Sequence, residues 1–293
     1  MIPPPSAPLS TQDDLVTLGE IREKKAFLID MDGVIYHGSK LLPGAPEFVR
    51  WMQKTNKKFL FLTNNPAYTP RELQEKLQRL GIAVEESNFF TSCLATAKFL
   101  QHQSPKGGSC FVIGHPALTY ALYEHGFTMN ETNPDYVVVG EGRLFNYDNV
   151  QKACHLVHQG ARLIGANPDQ NSPGEGGLID PACGAFTGCI EQATGRMAFY
   201  CGKPCSVMMR YAQRILGTNR REVCIIGDRM DTDILGGINS EMDSVLVLSG
   251  ISSIESYPTY PFQPTLVLEG VFQIPPHDDT TSERGEGQGE ERK

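Results

Sequence analysis

Two aspartates, Asp30 and Asp32, stand one residue apart in LIDMDGVIYHG, residues 28–38, where an apolar run gives way to Gly33. At that spacing in an extended segment both side chains project to the same side. Carboxylates so close repel each other's charge, which separates their protonation behaviour unless a cation intervenes. One of the pair then suits a nucleophile and the other a proton-holding general acid. Three further polar groups sit at comparable places: TNN at Thr63–Asn65, GKP at Gly202–Pro204 and GDRMDTD at Gly227–Asp233. Asp228 and Asp233 add negative charge suited to a hard divalent ion, for which magnesium is the natural choice beside a phosphate. The Thr63 hydroxyl, the Asn64 and Asn65 amides and the Lys203 ammonium would hold non-reacting phosphoryl oxygens and neutralise charge. Gly33 would let the backbone approach the phosphate closely. Any one of these pieces alone is an ordinary turn or a solvated lysine; their combination and order carry the reading.

Such chemistry needs elements that bring residues distant in sequence to one edge. Seven short apolar runs recur: KAFLID (25–30), KFLFLT (58–63), SCFVIG (109–114), DYVVVG (135–140), ARLIGA (161–166), EVCIIG (222–227) and SVLVLS (244–249). Runs apolar on both faces predict parallel strands covered by helices. Between them EFVRWMQKTN and RELQEKLQRLG carry apolar residues at helical spacing, the second closed by Gly81 as a C-cap. Each predicts a crossover helix, so the fold class is α/β. Ligands of open parallel sheets lie beyond the carboxyl ends of the strands, which is where DMDG, TNN and GDRMDTD fall, while GKP precedes a helix leading into the sixth run.

A chain of 293 residues accommodates one large domain or two unequal ones. Its net charge of -8 argues against a nucleic-acid polymer or a membrane surface as partner, and leaves a small phosphorylated metabolite. No N-terminal apolar leader and no bilayer-length apolar stretch is present, so a cytoplasmic protein with eight reduced cysteines is expected. Cys201 and Cys205 lack CxxC spacing and a histidine at zinc-ligand distance, which leaves the cysteines as buried filler. The Pro-rich start, residues 1–20, is expected to fray, and the polar, Gly-rich tail, residues 276–293, to be disordered.

DMDGVIYHG, LTNN, GKP and GDRMDTDI resemble the four motifs of the haloacid dehalogenase superfamily of phosphatases. VIYHG, LLPGAPEF, TSCLATAKFL, NPDYVVVGE, GANPD, DPACGAF and VLVLSGISS are similar to its NagD branch, over about Lys25 to about Leu268. The resemblance implies a Rossmann-like doubly wound parallel core that hydrolyses nucleoside monophosphates or other small phosphate esters. It implies that Asp30 attacks phosphorus to give an aspartyl-phosphate, and that Asp32 protonates the leaving alcohol and then activates water. Magnesium would be held by the side chains of Asp30 and Asp228 and the backbone carbonyl of Asp32. Thr63 and Asn64 would bind the phosphoryl group, Lys203 would balance charge, and Asp233 would orient the metal site or the lysine. Dehalogenases of this superfamily lack the second aspartate, so Asp32 favours phosphoryl transfer. Arg229 and Asp231 are more like phosphoglycolate and pyridoxal phosphatase relatives, and DPACGAF is more like bacterial nucleotidases. Phosphoglycolate, pyridoxal phosphate and sugar phosphates therefore stand as alternative substrates; transfer to another alcohol and a silent binding role are weaker alternatives.

Asp30 and Thr63 are only 33 positions apart, room for one helix and one strand. Thr63 and Lys203 are 140 positions apart, far more than a crossover needs. The surplus predicts an α/β cap domain inserted between the second and third motifs, the C2 type in this family. It is placed at 105–182, with residues 91–103 as a core helix leading into it and the core formed by 21–104 and 183–275. The loop GANPDQNSPGEGGLIDPACG, residues 165–184, would face the site. Within it Asn167 and Asp169 would hydrogen-bond a leaving group or form an Asx turn around Pro168. His37 is assigned a surface or turn role and Tyr36 a packing role, and a homo-oligomer is left open.

Overall fold

The computed structural model describes residues 16–173 and 178–276, so most of the Pro-rich start, the tail beyond Pro276 and four residues of the 165–184 loop lie outside the described residues. In chain order the elements are α1 (Leu18–Glu23), β1 (Ala26–Asp30), β2 (Tyr36–His37), β3 (Lys40–Leu41), α2 (Ala45–Lys54), β4 (Lys58–Thr63), α3 (Pro70–Arg79), β5 (Phe89–Thr91) and α4 (Ser92–Gln103). Next come β6 (Gly108–Ile113), α5 (Pro116–Glu124), β7 (Phe127–Met129), β8 (Tyr136–Val139), α6 (Tyr147–His158), β9 (Arg162–Gly165), β10 (Asn171–Pro173), β11 (Ile179–Pro181), α7 (Cys183–Thr194) and β12 (Phe199–Tyr200). The chain closes with α8 (Ser206–Leu216), β13 (Val223–Gly227), α9 (Leu235–Asn239), β14 (Asp243–Val247) and β15 (Leu266–Leu268).

The first sheet is parallel throughout, in the order β15-β14-β13-β1-β4-β5. Alternate residues of its strands serve opposite faces. Phe27, Ile29, Phe61 and Ile226 pack with Phe48 and Met52 of α2 and Leu73 and Leu77 of α3. Leu28, Leu60, Leu62 and Ile225 pack with Met208, Met209 and Ala212 of α8. Burying an aliphatic or aromatic side chain of this size contributes roughly 1.5–3 kcal/mol relative to exposure, which is why strands apolar on both faces sit at the centre. Register sets the site. Asp30 lies level with Leu62, and Ile29 with Ile226, so Thr63 and Asp228 each come one step beyond Asp30 at the same edge. Because strand order reverses beside β1, that edge is the crevice of a doubly wound sheet.

Local chemistry explains the helix ends. Thr69 and Glu72 form a capping box at the start of α3, Pro70 takes its first turn, and Gly81 follows its end at φ +87°. Helix α1 likewise starts on a Thr17–Glu20 capping box, buries Ile21, and ties its Arg22 to the carbonyl of Ile274 at 2.6 Å. Residues 16–20, expected to fray, are therefore anchored, because the cap and the Ile21 contact hold them to the first sheet.

A second parallel sheet, β12-β9-β8-β6-β7, occupies the insertion. One face carries Cys110, Tyr136, Val138 and Ile164 against α5 and α4; the other carries Phe111, Val137, Val139 and Leu163 against α6 and α7. Ile190 of α7 belongs to that second core and β12 pairs with β9, so this sheet draws on residues through Tyr200 rather than stopping at 182. The physical reason is that α7 buries Ile190 on the inserted sheet and β12 extends that sheet by pairing with β9. Helix α4 serves both bodies, with Ala95 in the first core and Ala97 and Leu100 in the second.

Candidate active site

The carboxyl ends of both parallel sheets converge on one cavity of about 230 Å³. Asp30, Thr63 and Asp228 enter it from the ends of β1, β4 and β13, with Asp32, Asn65 and Lys203 beside them. From the inserted sheet come Glu141, just past β8, and Asp169, just past β9, joined by Asn171 and Ser172 of β10. A larger cleft of about 730 Å³ opens beside Phe99, Arg162 and Phe199, but no carboxylate lines it. Chemistry and not size selects the first.

Lys203 is the hub. Its Nζ donates to Asp30 Oδ1 at 2.6 Å and to Asp233 Oδ1 at 2.7 Å, with the side chain only 3% exposed. Burial alone would pull the ammonium down, but the charges of Asp233 and Asp30 outweigh it and hold its pKa above the ordinary lysine value. Asp233 is itself fully buried, and burial pushes its carboxyl up against the opposing pull of Lys203. Its other oxygen sits 3.3 Å from the Arg229 backbone N–H, closing the π-helical turn Met230–Ile234 that follows β13. A Cβ on Gly227 would overlap the Asp233 side chain, so the glycine ending β13 is there to admit that aspartate.

Asp228 shows what is missing from an all-protein site. Its Oδ2 accepts the Ile251 backbone N–H at 2.7 Å, while its buried Oδ1 has no hydrogen-bond partner among the described residues. Burial, then the charges of Asp30 and Asp233, push its carboxyl up to about 8. Oxygens of Asp30, Asp228 and Asp233 all lie within 4.8 Å of one another. A buried carboxylate oxygen without a donor, among other carboxylates, fits a hard divalent cation better than it fits anything the protein supplies.

The remaining expected residues divide. Thr63 and Asn65 line the cavity, and the Thr63 hydroxyl oxygen accepts the Asn65 backbone N–H at 3.1 Å. The Asn64 side chain is occupied by the protein: Oδ1 accepts the Lys203 N–H at 2.8 Å, and Nδ2 donates to the Lys203 carbonyl and to Asp169 Oδ2, both at 2.9 Å. Its amide therefore positions Lys203 and does not present donors to a ligand. Gly33, at φ +78°, spends its N–H on the Tyr36 carbonyl at 2.8 Å, and a Cβ there would overlap the Asp228 carboxylate. It makes room for Asp228. Asn167, fully buried, accepts the Asp169 N–H at 3.1 Å and donates to the Asn64 carbonyl at 2.7 Å, which is the Asx turn around Pro168. Asp169 does face the cavity.

Asp32 is exposed at the rim with His37 Nδ1 at 3.3 Å, and Tyr36 is a packing residue beneath Lys76. Residue patterns did not single out Glu141, the Ile251 amide that holds Asp228, or Gly250, where a Cβ would overlap the same carboxylate. The GISS turn after β14 was visible only as part of a resemblance.

Comparison with known proteins places the chain among related hydrolases. Residues 27–128 match the model of a family described as haloacid dehalogenase-like hydrolase, and residues 200–274 match a second described as HAD-hydrolase-like. The chain is 39% identical over 250 residues to ribonucleotide monophosphatase NagD of Escherichia coli K12, covering 85% of this chain and 98% of that protein. It is also 39% identical over 249 residues to dihydroxyacetone phosphatase of Corynebacterium glutamicum, covering 85% and 90% respectively. The solved structure of E. coli NagD superposes with a TM-score of 0.81 at 38% identity, covering 86% of this chain and 98% of that one.

Proposed function

The chain belongs to the haloacid dehalogenase-like hydrolases of the NagD type, enzymes that cleave phosphoric monoesters, and from that premise we propose that it is a magnesium-dependent phosphatase working through an aspartyl-phosphate. The observation that carries the proposal is Asp30 at the cavity mouth, held by the buried Lys203 beside an Asp228 oxygen that lacks a donor.

In this reading an Asp30 carboxylate oxygen attacks phosphorus, forming the acyl-phosphate bond as the ester P–O bond breaks. Asp32, exposed at the rim, delivers a proton to the departing alkoxide. It then takes a proton from the water that attacks phosphorus, releasing inorganic phosphate and restoring Asp30. Lys203 keeps Asp30 aimed, Asp233 keeps Lys203 in place, and Thr63 and Asn65 bind phosphoryl oxygens. Magnesium would be held by Asp30, Asp228 and the Asp32 carbonyl, and when bound supplies the positive charge that offsets those carboxylates against an incoming phosphate.

Nucleoside monophosphates are the favoured substrates, supported by the activity for which the E. coli relative is named; dihydroxyacetone phosphate and sugar phosphates follow, supported by the names of the C. glutamicum relative and of a Staphylococcus aureus acid sugar phosphatase. Among the described residues no helix is long and apolar enough to cross a membrane; a cytoplasmic setting is proposed because the eight cysteines are unpaired thiols. Phosphate release measured with magnesium across nucleoside monophosphates and sugar phosphates tests the reading. Release is expected, and Asp30→Asn should remove it by at least about 10³-fold. Release that survives Asp30→Asn would place the nucleophile elsewhere.

A further inference from the structure

The phosphate end of the cavity is set by Lys203, Thr63 and the core aspartates, so the leaving group must face the inserted sheet, where Glu141, Asp169, Asn171 and Ser172 lie. Two of those four are carboxylates. The one cation near them among the described residues lining the cavity, other than Lys203, is Arg229. Its Nε and one terminal nitrogen already donate to the two oxygens of Asp231, at 3.1 and 2.9 Å, and that nitrogen is 4.0 Å from Asp169. Arg229 is thus matched by Asp231 before Asp169 is counted, and Glu141 has no cation partner among the described residues. Burial, then the neighbouring Asp169 charge, push the Glu141 carboxyl up against weaker pulls from the Asn167 amide and the Cys183 backbone. Asp169 is likewise pushed up by burial, against its hydrogen bond from Asn64 and the pull of Arg229.

We infer that the leaving-group end of this cavity accepts esters of neutral, hydroxyl-bearing or cationic alcohols and rejects esters of carboxylate-bearing ones, with Glu141 and Asp169 as the specificity-determining residues. The inference rests on the phosphatase reading and narrows it. A second anion entering here meets two carboxylates across a partly dehydrated gap, where charges interact several-fold more strongly than in bulk water. A hydroxyl or an ammonium instead finds acceptors, with Asn171 and Ser172 adding neutral hydrogen-bonding groups. Nucleosides and sugars satisfy this chemistry, and phosphoglycolate does not. Rejection operates by repulsion as much as by lost attraction.

Three two-carbon esters differing in one terminal group isolate the effect: 2-hydroxyethyl phosphate, 2-aminoethyl phosphate and 2-phosphoglycolate, with 4-nitrophenyl phosphate as a general phosphatase control. On the whole protein with magnesium, kcat/KM for the neutral and cationic esters should exceed that for 2-phosphoglycolate by about tenfold or more, mainly through KM. Glu141→Gln, and separately Asp169→Asn, should shrink that ratio by about threefold or more, and raised salt should shrink it further in the unmodified protein. Should Glu141→Gln not fold, Asn171→Lys, at an exposed position on the same rim, should shrink the ratio by adding the missing cation. Equal or faster turnover of 2-phosphoglycolate, or a ratio untouched by the folded variants, overturns the inference while leaving the phosphatase standing. No phosphate from any of the four, 4-nitrophenyl phosphate included, overturns both.

Discussion

Asn64 behaves unlike the neighbours with which it is read. In TNN it looks like one of three equivalent polar donors, yet both ends of its amide are spent on the backbone of Lys203, 139 positions away. Asn64→Ala should therefore lower kcat more than it raises KM, by about tenfold or more, because it frees the lysine that aims Asp30. It should also cost about 1–3 kcal/mol in a denaturant titration through buried groups left unpaired. Asp228 makes a prediction of the opposite kind. Its carboxyl titrates near 8 when folded and near the ordinary aspartate value of 3.8 when unfolded, so below 3.8 its protonation favours neither state. Between those values the folded protein holds the extra proton, and the stability it contributes is lost as pH rises toward 8. Metal-free protein should thus lose thermal stability relative to Asp228→Asn over this window, and magnesium should restore it increasingly at the upper end. Equal slopes for the two proteins in chelator would contradict the assignment of the orphaned oxygen. Asp30, Asp32, Thr63, Lys203 and Asp228 were legible because acid, hydroxyl and ammonium groups at strand ends suggest their own chemistry. Glu141 was not, since one glutamate in VVVGEG carries no pattern until the fold points it at the others.

At the scale of elements, all seven apolar runs became strands, because burial on both faces needs a continuous apolar stretch, and such a stretch is visible in one dimension. The strands that escaped notice are short. Phe89–Thr91, Phe127–Met129, Phe199–Tyr200 and Leu266–Leu268 are sheet-edge pieces of two or three residues, below the length at which alternation can be read. Helix α4 hides its amphipathicity for a related reason: Ser92, Cys93, Ala95, Thr96, Ala97 and Leu100 are all buried, since the helix is covered on two sides. Leu100, fully buried in the second core, should destabilise by about 2–5 kcal/mol when changed to alanine. If α4 couples the two bodies, a single cooperative unfolding transition should persist in that variant; two separated transitions would show that the sheets unfold independently.

Across the whole molecule, polar contacts that join the two parallel sheets at the cavity include Asn64 to Asp169 at 2.9 Å, Asn167 to the Asn64 carbonyl at 2.7 Å and Arg229 to Asp169 at 4.0 Å. Removing the first with Asp169→Ala should speed amide exchange in residues 165–173 and lower kcat/KM for a nucleotide about tenfold, with the global melting point little changed. Unaltered exchange there would mean that the Asx turn alone holds the loop. The sequence by itself determined the fold class, the long parallel strands, the presence of an insertion and the identity of the core chemical groups, all properties encoded in contiguous patterns of burial and polarity. Only the tertiary structure decided that Asn64 positions a lysine, that Gly33 clears space for Asp228, that the inserted sheet runs through Tyr200, and that Glu141 and Asp169 line the same cavity. Those assignments depend on which atoms come within about 3 Å across more than a hundred residues of chain, and hydrogen bonds and charge interactions at that range have no signature in residue order.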